Sequence, residues 1–171
     1  RLERIKIGAK TISNIYQDLT YLFLSHKLSS NIENIDIGNL IKERIRFFDS
    51  NTKAKKIAIN FTQKIMLQQN TDKIKLSKIL DNLISNSIKY GKVGGKIDIV
   101  LDDGYLLIED NGYGIPKEKT KEVFKRFVRL EDSCGGFGIG LSIVKKICDE
   151  LGYKIEMDSN KGEGTKVYIR W

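Results

Sequence analysis

Two alternating apolar runs, Ile97-Asp98-Ile99-Val100-Leu101 and Tyr105-Leu106-Leu107-Ile108, flank Asp102-Asp103-Gly104. An Asp-Gly turn supplies the backbone twist that joins two neighbouring strands, so the pair must run antiparallel. A second hairpin is predicted from Tyr153 to Asp158 and Thr165 to Arg170, turned at Asn160 to Gly164. Helical patterns are interleaved with these hairpins. Thr71 or Asp72 is placed to cap a helix running to about Tyr90, with Leu76, Leu80, Leu83 and Ile84 as its core stripe. Another helix is expected from about Ile139 to Leu151, closed by Gly152 as a left-handed cap. Ile35-Asp36-Ile37 reads as a short strand after a polar break at residues 31–34, leading into a helix with Leu40, Ile41, Ile45 and Phe48 on one side. Ile57 to Phe61 and Lys64 to Leu67 read as further strands, and a short helix begins near Lys117. Helices mixed with antiparallel hairpins predict an α+β chain built as a two-layer α/β sandwich, not a doubly wound parallel sheet.

Composition narrows the class. At 171 residues and 40% hydrophobic, the chain can bury a core without disulfide or metal staples, and it is too apolar for a disordered tail. No run approaches the roughly 18 apolar residues of a membrane span, so no direct membrane contact is expected. Cys134 and Cys148 match neither zinc nor redox spacing, and a single histidine rules out Cys/His metal clusters; a reducing, cytoplasmic setting is expected. The net charge of +8 comes from 30 Lys and Arg scattered without a dense basic block, which speaks against a nucleic-acid partner. The chain opens on Arg1 inside a helical pattern, which predicts a piece of a longer protein. There, Ile5, Ile12 and Leu19 recur every seven residues, as do Ile15 and Leu22, forming a heptad seam that suits a bundle or dimer helix or one packed on its own domain.

Three segments carry candidate chemistry. Asn82, Asn86 and Lys89 fall at i, i+4 and i+7, along one helix face. Amide oxygens can ligate a hard cation such as Mg²⁺, and an ammonium can meet phosphate; a solvated helix face accounts for the row equally well. Glu109-Asp110-Asn111-Gly112-Tyr113-Gly114-Ile115-Pro116 ends a hydrophobic strand. A carboxylate there can accept from an exocyclic amine such as that of adenine, while an acidic turn is the plainer alternative. Gly135-Gly136-Phe137-Gly138-Ile139-Gly140-Leu141 opens a helix, where unpaired amides attract phosphate. The segment follows a polar loop late in the chain, so a Rossmann reading fails, and a flexible loop without ligand remains open.

Together these segments, in their order, resemble the ATP-binding domain of sensor histidine kinases, within the gyrase, chaperone, kinase and mismatch-repair ATPase superfamily. Residues 81–90 resemble its N box, Asp110 to Gly114 its G1 box, Phe124 to Phe127 its F box and Gly136 to Leu141 its G2 box. Gly162-Glu163-Gly164-Thr165 resembles the closing GxGT. The resemblance covers residues from about 36 to the end. It implies a Bergerat fold with a mixed sheet packed on helices, a catalytic ATP-binding domain over residues 34–171, and a partial dimerisation helix over residues 1–33.

The resemblance also implies roles. Asn86, with Asn82 beside it, would ligate Mg²⁺; Lys89 would face the phosphates, Tyr90 the nucleotide, and Asp110 the adenine amine. Gly112, Gly114 and Ile115 would line the adenine side, and Thr165 would reach the adenine edge. Gly136, Gly138, Ile139, Gly140 and Leu141 would surround the phosphates, with Arg126 and Arg129 neutralising the γ-phosphate. Phe124 and Phe127 would anchor a short lid over residues 130–134. The N-terminal helix resembles the second helix of the dimerisation hairpin, implying a homodimer in a membrane-anchored parent and a response regulator receiver domain as partner. His26 lacks the acidic neighbour of an H box and reads as an ordinary surface or seam histidine. Clamp ATPases of the superfamily carry a glutamate four residues before the Mg²⁺-binding asparagine; here Asn82 stands there, and an amide is no general base. Three readings follow: a histidine kinase core using Mg·ATP, a nucleotide-binding regulatory module without transfer, and a clamp ATPase or basic nucleic-acid binder.

Overall fold

The computed structural model describes residues 16, 20, 21, 31–128 and 138–171. Tyr16, Thr20 and Tyr21 are helical; the heptad seam, His26, Arg129, the lid and residues 135–137 lie outside the described residues.

Strand β1 (Ile32–Asp36) leads directly into helix α1 (Ile37–Phe47), followed by α2 (Asp49–Lys55), β2 (Ala58–Gln63) and β3 (Gln68–Asp72). Helix α3 (Lys73–Tyr90), strands β4 (Lys96–Asp102) and β5 (Tyr105–Asp110), helix α4 (Gly140–Leu151), and strands β6 (Lys154–Asn160) and β7 (Gly164–Arg170) complete the order. Two corrections fall at the start. Residues 32–34 are strand, not part of a polar break, and Ile37 belongs to the helix because the Asp36 carboxylate caps it, accepting from Asn39 N at 2.8 Å. The run Lys64 to Leu67 is not a strand: Met66 is 81% exposed, and the strand begins at Gln68, in a polar stretch with no apolar alternation to announce it.

The main sheet has the order β2-β4-β5-β7-β6, with β2 and β4 parallel and every other pair antiparallel; β1 and β3 form a separate ribbon. Alternation along β4 and β5 turns Ile97, Ile99, Leu101, Leu106 and Ile108 to one face, where they meet Leu76, Ile79, Leu80, Leu83 and Ile84 of α3 and Ile143, Val144 and Ile147 of α4. Helices on one face and solvent on the other make the two-layer α+β sandwich. Asp72 starts α3 by accepting from Ile74 N and Lys75 N at 2.9 and 3.0 Å. Gly152, at φ 75°, closes α4.

Candidate functional site

The alternation that buries Leu106 and Ile108 also carries Asp110, the last residue of β5, into the interior beside α3. Register sets it opposite Thr165 of β7 and Ile97 of β4. Its carboxylate accepts from Gly112 N at 2.9 Å, from the Ser87 hydroxyl and from the Thr165 amide. Burial pushes its pKa above the ordinary 3.8 and outweighs those donors, which favour the ionised form; neighbouring Glu109 adds to the rise. A carboxyl group buried at the end of a strand is costly to maintain, which makes it a candidate functional group.

Around it the loop from Asn111 to Ile115 is tied on both sides. Tyr113 N donates to Tyr90 O at 3.1 Å, and Tyr113 O accepts from Gly162 N at 2.6 Å. Asn111 Oδ1 accepts from Lys96 N at 2.8 Å. Ile115 N donates to Ser159 Oγ at 2.8 Å, and that hydroxyl donates to Gly164 O at 2.7 Å. Ser159 has one proton, so the remaining 3.0 Å contact is donated by Thr165 Oγ1, whose lone pairs can then only accept from a further group. Gly114 adopts φ 64°, and a Cβ there would strike the Asn160 carbonyl, so no side chain fits between the loop and the β6–β7 turn.

The row on α3 is placed differently. Asn82, Asn86 and Lys89 are half-buried. Asn82 Nδ2 donates back to Lys78 O at 2.8 Å, and its Oδ1 lies 2.5 Å from where a Cβ on Gly140 would sit. The glycine at the start of α4 is therefore what lets the two helices approach. Asp81, next in sequence, is held by Arg44 through a fork of 2.7 and 2.9 Å. Lys89 Nζ bonds the Tyr90 hydroxyl at 2.7 Å and stands over its ring. The Asn86 side chain makes no hydrogen bond among the described residues, which leaves its amide oxygen available to a hard cation.

The remaining predicted residues are scattered. Ile139 is 3% exposed and belongs to the core, so only its backbone can serve a ligand; Leu141 also packs against the core. Gly138, at φ 68°, accepts from Phe127 N at 3.0 Å. Phe127 is 64% exposed, because the chain after Glu122–Phe124 is no longer helical and the i, i+3 spacing loses its meaning. Arg126 is exposed and lines a cavity of about 720 Å³ with Phe124, Ser142 and Lys145. Arg129 and Gly136 lie outside the described residues. Ser87 and Ser159 are additions that residue patterns do not announce: the packing of α3 brings Ser87 to Asp110, and the β6–β7 register brings Ser159 to Thr165. Among the described residues no group of three or more His, Cys, Asp or Glu is placed to hold a metal, and no helix is long and apolar enough to cross a membrane.

Residues 71–171 match the family model described as histidine kinase-, DNA gyrase B-, and HSP90-like ATPase. Sensor histidine kinase WalK of Bacillus subtilis (strain 168) is 37% identical over 106 residues, covering 56% of this chain and 17% of that protein. The chain thus spans about a sixth of that relative's length. The catalytic domain of histidine kinase ThkA is 26% identical, with a TM-score of 0.74, over 81% of this chain and 93% of that one. A structure of ThkA in complex with response regulator protein TrrA shares the fold, at 22% identity and a TM-score of 0.76, over 98% of this chain and 49% of that one.

Proposed function

Because this chain belongs to the histidine kinase-, DNA gyrase B-, and HSP90-like ATPase family, we propose that it binds Mg·ATP and transfers the γ-phosphate to a histidine on a separate dimerisation helix, for relay to a response regulator aspartate. The observation that carries the reading is Asp110: a buried carboxylate, held by three donors that favour its ionised form against the burial, and suited to accept from an adenine amine. Thr165, left as an acceptor, adds to the same edge.

On the phosphate side, the free amide of Asn86 suits a magnesium ion that keeps several waters, with Asn82 beside it. When bound there, the cation supplies charge neutralisation for the triphosphate. Lys89, Tyr90, Gly138, Gly140, Arg126, and by resemblance Arg129 and Gly136, would position the rest. Transfer forms an N–P bond to the histidine and breaks the bond from γ-phosphorus to its bridging oxygen, ADP leaving with that oxygen. Such transfers depend on positioning and charge more than on covalent help from the protein. Asn82 cannot take a proton near neutral pH, and Asp81 is held in the Arg44 fork, so this helix face offers no base for activating water. That favours a side chain as acceptor over hydrolysis.

In the parent protein the N-terminal helix would pair two copies in the cytoplasm below a membrane anchor, and a receiver domain would collect the phosphate. The ThkA complex with TrrA supports that partner class by analogy of fold. Mixing this chain with a separate H-box helix and γ-labelled ATP tests the proposal. Acid-labile phosphate on the helix is expected. Binding without transfer would leave a regulatory module, and free phosphate would indicate a clamp-type ATPase.

A further inference from the structure

The C-terminal end of α3 carries Lys89 and Tyr90, and like any helix end it leaves its last carbonyls without partners inside the helix. Lys55, the last residue of α2, fills that gap. Its Nζ donates to Ile88 O at 2.8 Å, Lys89 O at 2.7 Å and Gly91 O at 2.9 Å. An ammonium has three protons, so this one is fully used. The carbonyl skipped, that of Tyr90, accepts from Tyr113 N in the loop beside Asp110. The main chain of Lys55 also accepts from Gly94 N at 3.1 Å, tying the glycine-rich turn to the same point. A cation here also complements the negative end of the helix.

We infer that Lys55 is a positioning residue for the nucleotide site, an inference that rests on the reading of that site given above. Its three donors all go to main-chain carbonyls. It holds the backbone of Lys89 and Tyr90, and through the Tyr90 carbonyl it sets the height of the Gly112–Tyr113 loop against α3. Without the ammonium, three carbonyls at this end lose their partner, the last turn of α3 unwinds, and the loop loses its fixed support. Lysine is suited to the task because its three donors diverge from one point; methionine keeps the stem and removes both donors and charge.

The test compares Lys55→Met and Lys55→Arg with Ile41→Val, which trims a buried side chain in α1, a helix supplying none of the pocket residues. Calorimetry with Mg²⁺ and a non-hydrolysable ATP analogue measures affinity, and amide exchange at Tyr113, measured without nucleotide, follows the loop. Lys55→Met is expected to weaken affinity about tenfold, the scale of residues acting through a hydrogen-bond network, and to speed exchange at Tyr113. Lys55→Arg is expected to fall between it and wild type. Ile41→Val is expected to lower the melting temperature with affinity and Tyr113 exchange unchanged. Wild-type affinity and exchange in Lys55→Met, or equal losses in Ile41→Val, would reduce Lys55 to an ordinary helix cap and overturn the inference. If Lys55→Met does not fold, Lys55→Arg decides: wild-type affinity together with wild-type Tyr113 exchange would overturn the inference, and a partial loss of both would support it. If wild type itself takes up no adenine nucleotide, the functional reading fails, while the exchange measurement still tests the clamp.

Discussion

At the Asp110 end of the site Asp110, Thr165 and Ser159 are held by other parts of the fold, whereas at the Lys89 end Asn82 and Lys89 bond within their own helix and Asn86 bonds nothing among the described residues. Asp110, Thr165 and Ser159 sit on three different strands, and their bonds cross the sheet and the loop between them. Asn82 bonds its own helix at Lys78, and Lys89 bonds its neighbour Tyr90. Moving the first set means breaking strand register; moving the second means turning a rotamer. The Asp110 end is thus fixed by the fold itself. The Lys89 end keeps its rotamers free, and under the proposed function nucleotide and cation would draw Lys89 and Asn86 toward them.

The sharpest way to break this contrast is Asp110→Ala, expected to abolish the thermal shift caused by an ATP analogue with Mg²⁺, a loss of at least about 100-fold in affinity once a buried charged acceptor is removed. A full retained rise would show that the base does not bind there. Asn86→Ala is expected to remove only the magnesium-dependent part of binding, leaving metal-free adenosine uptake intact, as separate titrations with and without Mg²⁺ would show. Ser159→Ala should cost about 1–3 kcal/mol, because Ile115 N and Gly164 O both lose a buried partner, and it should blunt base affinity through the loosened loop. Chemical denaturation would register the first effect and calorimetry the second.

Asp110 also predicts a pH signature. Its folded pKa lies above its unfolded value, so the native state binds that proton more readily and the group's contribution to stability declines as pH rises from 3.8 through the folded pKa. Asp110→Asn, which cannot titrate, is therefore expected to flatten the pH profile of stability in that acid window, as melting temperatures taken across it without nucleotide would show. An unchanged profile would mean that another carboxyl titrates there. The smallest effect belongs to a side chain that takes no part in this contrast. Lys56 caps α2 at φ 55°, next to the Lys55 clamp, and Lys56→Gly should add about 0.5–1 kcal/mol in urea denaturation with no loss of nucleotide affinity.

Legibility followed the range of the interactions. The β4–β5 hairpin, the capped helix at Asp72 and the Gly152 stop rest on contacts within a few residues, and all three appear where the residues predict them. The ribbon of β1 and β3 escaped because its partners are more than thirty residues apart and mostly polar, while the run at Lys64 to Leu67 is an irregular connection with Met66 exposed and Leu67 packed on the core. Within the site, Asp110 could be read from its place after an apolar strand. Ser87, Ser159 and Lys55 could not, since a serine or lysine in a polar stretch looks the same whether it meets solvent or a distant carbonyl.

Residue order alone determined the α+β class and the hairpin at Asp103-Gly104, because alternation, capping and turn chemistry act between near neighbours, and its resemblance to a known family marked the candidate boxes. Only the tertiary structure decided that Asp110 would be buried among three donors, that Asn82 would press on Gly140, and that one ammonium would close the end of α3. Those outcomes depend on the register of strands and on how closely helices approach. Such distances are fixed by packing across the core and leave no periodic trace along the chain.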